Sequence, residues 1–326
     1  MNEKKRLVKL SRFIGKWSLS RILRWVLFLG SVYWVTKNWQ TGTTLNELSQ
    51  KYAYPDSRWI DVDGQAIHYR ATGPVKGTPI LLLHDEGSSM HTWNQWTDSL
   101  SRKQRIISVD LPGFGLTGPN PRGSYSSFMY ASFLEHLTDS LKLNKFTLAG
   151  VGLGAQIAWF FAAEHPERLE KLILLDAPGY NKEANNVFTI LGRTPVLNSV
   201  MWTVTPKSIF SLYLEGIYAD DRLVTDSLVQ RHFDLALRPG NRKAYTDRLS
   251  VRDNRPPVDF VERITTPTLI LWGAEDAQIS PQHAYDFHRR IKGALLKIYQ
   301  NTGHWPQEEN GGETAKDVQA FLDGKF

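Results

Sequence analysis

Short apolar runs with no internal alternation constrain this chain more than any other feature. "PILLLH" (79–84), "RIISVDLPGFG" (105–115), Phe146–Ala149, "KLILLD" (171–176), "TPTLILWG" (266–273) and "ALLKIY" (294–299) each read as a strand. A strand with one wet face alternates apolar and polar side chains, and most of these do not. Helical patterns lie between them. Residues 127–143 carry Phe128, Ala131, Leu134, Leu137 and Leu141 at helical spacing, and 155–165 and 312–322 read as further helices. Buried strands alternating with helices specify a mostly parallel sheet with helices on both faces. Ahead of it, "RWIDVDGQAIHYRATG" (58–73) reads as a hairpin turning at Asp63-Gly64. The interval 179–263 breaks the alternation. It is rich in helix-like pieces and aromatics, among them Phe188, Trp202, Phe210, Tyr213, Tyr218, Phe233 and Tyr245, and reads as a helical cap inserted over one end of the sheet.

Composition narrows the function classes. With 41% hydrophobic residues in 326, a large core is within reach, and the absence of cysteine excludes disulfides, thiolate metal sites and cysteine nucleophiles. The net charge is +6, but the first 24 residues carry +7, which leaves the body at about −1. The body is not a polyanion binder, so a nucleic-acid partner is not expected. The basic segment places Leu7, Leu10, Phe13, Ile14 and Trp17 on one helical face, and the uncharged "WVLFLGSVYWVT" follows at 25–36. With snorkelling arginine and lysine the usable run is 22–39, roughly 27 Å at 1.5 Å per residue, close to a bilayer core. No small-residue cleavage site follows Val35, so an uncleaved membrane anchor is preferred over a signal peptide or a helix packed on the protein itself. The excess of positive charge before the run puts the N-terminus in the cytosol and the domain on the outer side, if the segment spans. The expected organisation is anchor 1–50, core 51–178, cap 179–263 and core 264–326.

Chemistry concentrates at three places. "AGVGLGAQ" (149–156) takes the chain from strand to helix, "LLLHDEGSS" (81–89) leaves an earlier strand, and Asp276 and His304 stand in loops after the last two strands. The G-x-G-x-A run lacks the acidic partner of a dinucleotide-binding unit, and no cofactor or metal is implied. These segments are similar to those of the capped α/β-hydrolases, the group with epoxide hydrolases, haloalkane dehalogenases and carbon–carbon bond hydrolases. The resemblance covers about 52–326, and the basic N-terminus is similar to that of bacterial membrane-anchored members. It implies the α/β-hydrolase fold. "GVGLG" resembles the nucleophile elbow, "LWGAEDAQISP" the acid segment with Asp276, and "NTGHWPQEE" the base segment with His304. It also implies oxyanion-hole donors at the N–H groups of Glu86 and Leu153. Asp276 would orient His304, and His304 would deprotonate the nucleophile. At the elbow, however, stands Gly152, which has no side chain.

A second departure lies in the oxyanion loop, where His84-Asp85-Glu86 replaces the usual His-Gly. Two carboxylates aimed inward would oppose developing negative charge, while an aspartate could still supply the loop's curvature at positive φ. His84 and Asp110 read as residues that shape loops, and Asp176 as an alternative position for the acid. Three functions stay open. The chain is a pseudo-hydrolase that binds a small apolar ligand or a protein partner. It is instead an active hydrolase in which the His304–Asp276 pair works on water admitted at Gly152, or on Ser88 or Ser89 as the hydroxyl. Or it is a membrane scaffold, which a filled space over Gly152 would favour.

Overall fold

The computed structural model describes residues 19–179, 194, 198–200, 202–251 and 258–326. Its centre is an eight-stranded sheet in the order β1-β2-β4-β3-β5-β6-β7-β8. The strands are β1 (Ser57–Val62), β2 (Gln65–Thr72), β3 (Ile80–Leu83), β4 (Ile106–Val109), β5 (Phe146–Val151), β6 (Leu169–Leu175), β7 (Thr268–Gly273) and β8 (Leu295–Tyr299). β1–β2 and β2–β4 pair antiparallel, and every other pairing is parallel. Asp63 and Gly64 both take positive φ, 54° and 80°, as a two-residue turn joining β1 to β2 requires.

Continuous hydrophobicity in the strands matches burial from both sides. Leu81, Leu83, Leu148, Leu172 and Leu174 pack on one face with Leu134, Ile157 and Phe161, while Ile80, Leu82, Ala149, Ile173 and Leu175 pack on the other with Trp96, Leu100 and Val318. The first face is covered by α4 (Ser127–Ser140) and α5 (Leu153–Glu164), the second by α3 (Asn94–Leu100) and α11 (Gly311–Leu322). Every residue of α5 from Leu153 to Ala163 is buried, so this helix lacks the polar stripe of a surface helix. Between β6 and β7 lie α6 (Lys207–Glu215), α7 (Asp226–Ala236) and α8 (Asn241–Ser250), among the described residues of the cap interval. Phe188 and the amphipathic stretch 7–17 fall outside the described residues.

Parallel pairing brings the C-terminal ends of β3, β5, β6, β7 and β8 to one edge. Leu83 lies opposite Gly150, and Gly150 opposite Leu174. The turn from β5 into α5 is tight: Gly152 has φ 52° and ψ −118° and its N–H donates to Leu175 O at 3.1 Å. A Cβ on Gly154 would overlap the Leu83 carbonyl, and one on Gly150 would overlap the backbone of Gly154. The small residues flanking the turn are thus required by close backbone approach.

Two expectations for the N-terminal region change. α1 (Leu19–Lys37) leaves Leu23, Val26, Leu27, Phe28, Leu29 and Tyr33 more than half exposed, so it is not packed on the domain. Yet no helix among the described residues is long and apolar enough to cross a membrane. The physical reason is length: the uncharged stretch 25–36 spans ~18 Å at 1.5 Å per residue, against ~30 Å of hydrocarbon. The anchor boundary at 50 also falls inside a helix. α2 (Leu45–Tyr52) starts from a capping box between Thr44 and Glu47 and buries Leu48 against Leu116 and Leu235.

Replacing Gly154 by Ala is expected to lower folding stability by roughly 1–3 kcal/mol or more, because backbone rather than a side-chain tip must move. Urea unfolding followed by circular dichroism measures it; an unchanged midpoint would contradict the close approach of α5 to β3.

Candidate functional site

The loop after β3 begins at His84, whose ring is buried and bridges two segments. Nδ1 donates to Asp85 O at 2.7 Å, and Nε2 accepts from Leu111 N at 2.9 Å. Burial lowers the pKa of this histidine, consistent with a neutral ring that both donates and accepts. The loop's left-handed residue is Gly87, φ 72°, and not Asp85. Asp110 shapes the next loop. It accepts from Met90 N, Leu116 N and His68 Nδ1, and although burial opposes its charge, His68 beside it holds its pKa well below the carboxylate range.

Asp85 points inward and fills the space above Gly152. Its Oδ1 accepts from Leu153 N and Glu86 N, each at 2.7 Å, and its Oδ2 accepts from Trp305 Nε1 at 3.1 Å. His304 Nε2 lies 3.2 Å from the same Oδ2. The two backbone donors expected to receive an oxyanion are therefore brought together, and both are occupied by the chain's own carboxylate. A Cβ on Gly152 would overlap that carboxylate, so the position where a side chain at 152 would begin is already filled. The carboxylate also sits at the N-terminus of the 12-residue α5, where the helix dipole favours negative charge. Glu86 turns elsewhere; its carboxylate lies 3.7 Å from Arg248 Nε.

On the other side, His304 Nδ1 lies 2.8 Å from Asp276 Oδ2, and Asp276 Oδ1 accepts from Gln278 N and Ile279 N. A ring between two ionised carboxylates can satisfy both only by donating from both nitrogens, so His304 is an imidazolium. Burial alone would lower its pKa, but Asp276 and Asp85 raise it well above the ordinary histidine value. Burial would likewise raise Asp85, and its bonds with His304, Leu153 N and Trp305 outweigh this and hold it below the usual range. Asp176, at the end of β6 with φ 44°, does not bond the histidine: it accepts from Gly273 N. Burial and the neighbouring Asp276 push its pKa well above the ordinary carboxylate value.

Asp176, Asp276 and His304 bring potential metal-ligand atoms within 4.8 Å of one another. Both ring nitrogens of His304 already face carboxylate oxygens, Asp276 Oδ2 and Asp85 Oδ2, so neither is turned to a position shared with Asp176. Ser88 is not joined to His304, both of whose nitrogens are engaged by carboxylates. Ser89 bonds His91 at 3.0 Å. Ser88 and Ser89 instead line a separate, mainly apolar cavity between the β3 loop and the cap, about 860 Å³ out to its open mouth. Phe114, Ile209, Phe210 and Leu235 supply apolar wall, and Tyr213 and His232 are also on it. Trp305, stacked on His232 with ring centres 5.6 Å apart, is a site residue that sequence reading missed. Its only signal was its place next to His304.

The Alpha/beta hydrolase family description matches residues 80–317. The chain is 28% identical over 257 residues to the 2-hydroxy-6-oxo-2,4-heptadienoate hydrolase of Pseudomonas putida, covering 76% of this chain and 89% of that protein. An uncharacterised protein of Mycobacterium tuberculosis is 28% identical over 283 residues, 83% of this chain and 82% of that one. Among solved structures, a meta-cleavage product hydrolase from Pseudomonas fluorescens superposes with a TM-score of 0.72 at 23% identity, covering 82% of this chain and 98% of the other.

Both ring nitrogens of His304 should carry protons at neutral pH, visible as two N–H correlations in a nitrogen-15 spectrum of histidine-labelled protein. A raised histidine pKa adds stability below the unfolded value of 6.5, lost as pH rises through the folded pKa; the lowered Asp85 adds stability above 3.8, lost as pH falls through its folded pKa. The trio should therefore be most stabilising between those two unfolded values. Asp85→Ala should cost about 3–5 kcal/mol, as breaking a buried ion pair does, read by urea unfolding. A neutral-imidazole spectrum at pH 7 would contradict the assignment.

Proposed function

Because this chain belongs to the α/β-hydrolase family, we propose that it is a non-catalytic member: it keeps the hydrolase site's scaffold, has closed that site with Asp85, and uses the cavity under the cap to bind a small apolar ligand. The observation carrying this reading is the carboxylate of Asp85 held on Leu153 N and Glu86 N above a residue with no side chain. Covalent hydrolysis needs an attacking group, a base and an empty oxyanion hole. Gly152 supplies no attacking group, His304 already carries its proton, and the hole is filled. Loss of a triad nucleophile alone removes about six orders of magnitude in turnover. Catalysis by the His304–Asp276 pair on water is disfavoured by the same protonation. The filled space over Gly152 favours a purely structural role, but the open apolar cavity beside it supports ligand binding. The P. putida relative named as a hydrolase fits a change of use within a common fold.

The N-terminal region supplies a partner surface. α1 exposes apolar side chains, and we assign it to association with a membrane surface, with the positive charge of the N-terminal region favouring anionic lipid. The full chain should float with anionic phospholipid vesicles, and Leu27→Asp with Phe28→Asp should abolish flotation. Equal flotation of the variant would remove α1 from the interaction.

The wild-type protein should neither hydrolyse acyl esters of several chain lengths nor take a fluorophosphonate label by intact mass. Gly152→Ser alone should stay inert, because the new side chain meets Asp85. Asp85→Gly combined with Gly152→Ser should gain label or turnover, since that pair frees both N–H donors and gives His304 a hydroxyl to act on. Turnover by the wild type that His304→Ala abolishes would overturn the non-catalytic reading.

A further inference from the structure

Several polar groups on the cavity wall are satisfied within the protein. Thr246 Oγ1 donates to Lys243 O and accepts from Trp202 Nε1. Tyr213 Oη donates to Glu86 O at 2.9 Å, and Thr205 Oγ1 accepts from Arg242 Nη1 at 3.2 Å. Two buried acceptors on this wall have no partner among the described residues. His232 Nδ1 lies 3.2 Å from Gly87 O, which can only accept, so the proton is on Nδ1 and Nε2 is a bare acceptor. That Nε2 is buried and has no partner among the described residues. Asn241 donates from Nδ2 to both Gly115 O and Leu235 O, which fixes its amide orientation and leaves Oδ1 as an acceptor, also buried and unpartnered. Both residues are only 4% exposed, and both line the cavity.

An unpaired buried acceptor is costly, and two on one apolar wall call for a ligand that brings a donor. Burial lowers the pKa of His232 to about 3, with Arg231 adding to the effect, so the ring stays neutral and cannot itself become the donor. The charge of the ligand is restricted as well. A carboxylate offers only acceptors to Nε2 and Oδ1. An ammonium would donate, but would enter beside the Arg242 guanidinium, which lines the same cavity and is bonded to the uncharged acceptors Thr205 Oγ1 and Gln40 O. A neutral hydroxyl on an apolar body meets both conditions.

We propose, building on the ligand-binding reading above, that this cavity takes a neutral aliphatic alcohol whose hydroxyl donates to His232 Nε2, with Asn241 Oδ1 as a second acceptor on the same wall. Phe114, Ile209, Phe210 and Leu235 hold the hydrocarbon. The base and acid of the closed site take no part.

Calorimetric titration of the full chain with 1-octanol, its isomer heptyl methyl ether, and octanoate tests this. The alcohol and the ether bury nearly the same apolar surface, and only the alcohol can donate. Octanol is expected to bind on the order of tenfold more tightly than the ether, the value of one satisfied buried acceptor, and octanoate more weakly than octanol. His232→Phe keeps a flat ring against Trp305 and should bring the octanol-to-ether ratio close to one. Equal binding of octanol and ether by the wild type, or tightest binding of octanoate, overturns the alcohol assignment and leaves the apolar-ligand reading standing. Binding of none of the three overturns both. The wild-type ratio decides the matter even if the variant does not fold.

Discussion

The carboxylate of Asp85 is the point on which the upper edge of this molecule depends. It takes N–H donors from its own loop, from the first turn of α5, and from both side chains of the His304-Trp305 pair after β8. One anion thus joins segments that reach the sheet edge from three different strands. Its charge is balanced by the His304 imidazolium, which is balanced in turn by Asp276. The array works as a buried hydrogen-bonded network in which every charge has a partner, the condition under which burying charge is tolerable.

That network also explains how the elbow keeps its shape with no side chain to support it. Gly152 retains φ 52°, a conformation that strains most L-residues and costs glycine little. Gly150 and Gly154 are needed by backbone contact whatever stands between them. The packing of α5 on β3 and β5 is therefore indifferent to the residue at 152, and the carboxylate from the neighbouring loop supplies the missing polar contact. The backbone donors of Leu153 and Glu86 hold the chain's own carboxylate.

The cavity is separate from this closed centre. Tyr213 reaches from the cap to Glu86 O, and Trp305 stands between His232 and Asp85, so the cavity wall is the back of the layer that covers the carboxylate. Changes in the cavity and changes at Asp85 share Trp305 and the β3 loop.

The sequence by itself determined the sheet, its burial on both faces, the hairpin at Asp63-Gly64, and the absence of any reactive group at position 152. Unbroken apolar runs and small residues are local properties, and they survive into the fold unchanged. The approach of Asp276 to His304 was legible too, through the order and context of the two loop segments. α2 was not expected although Thr44 and Glu47 carry its capping signal, because the long apolar run just before it is the stronger local pattern. Where the Asp85 side chain goes could not be read from sequence. A loop aspartate faces solvent as readily as the interior, and the partners that draw this one inward lie 68, 219 and 220 positions along the chain. The same holds for the acceptors of His232 and Asn241, whose orphaned state appears only once their other atoms find carbonyls from distant turns. Tertiary structure decided these points because a hydrogen bond's direction is set by whichever donors and acceptors the fold brings within 3 Å.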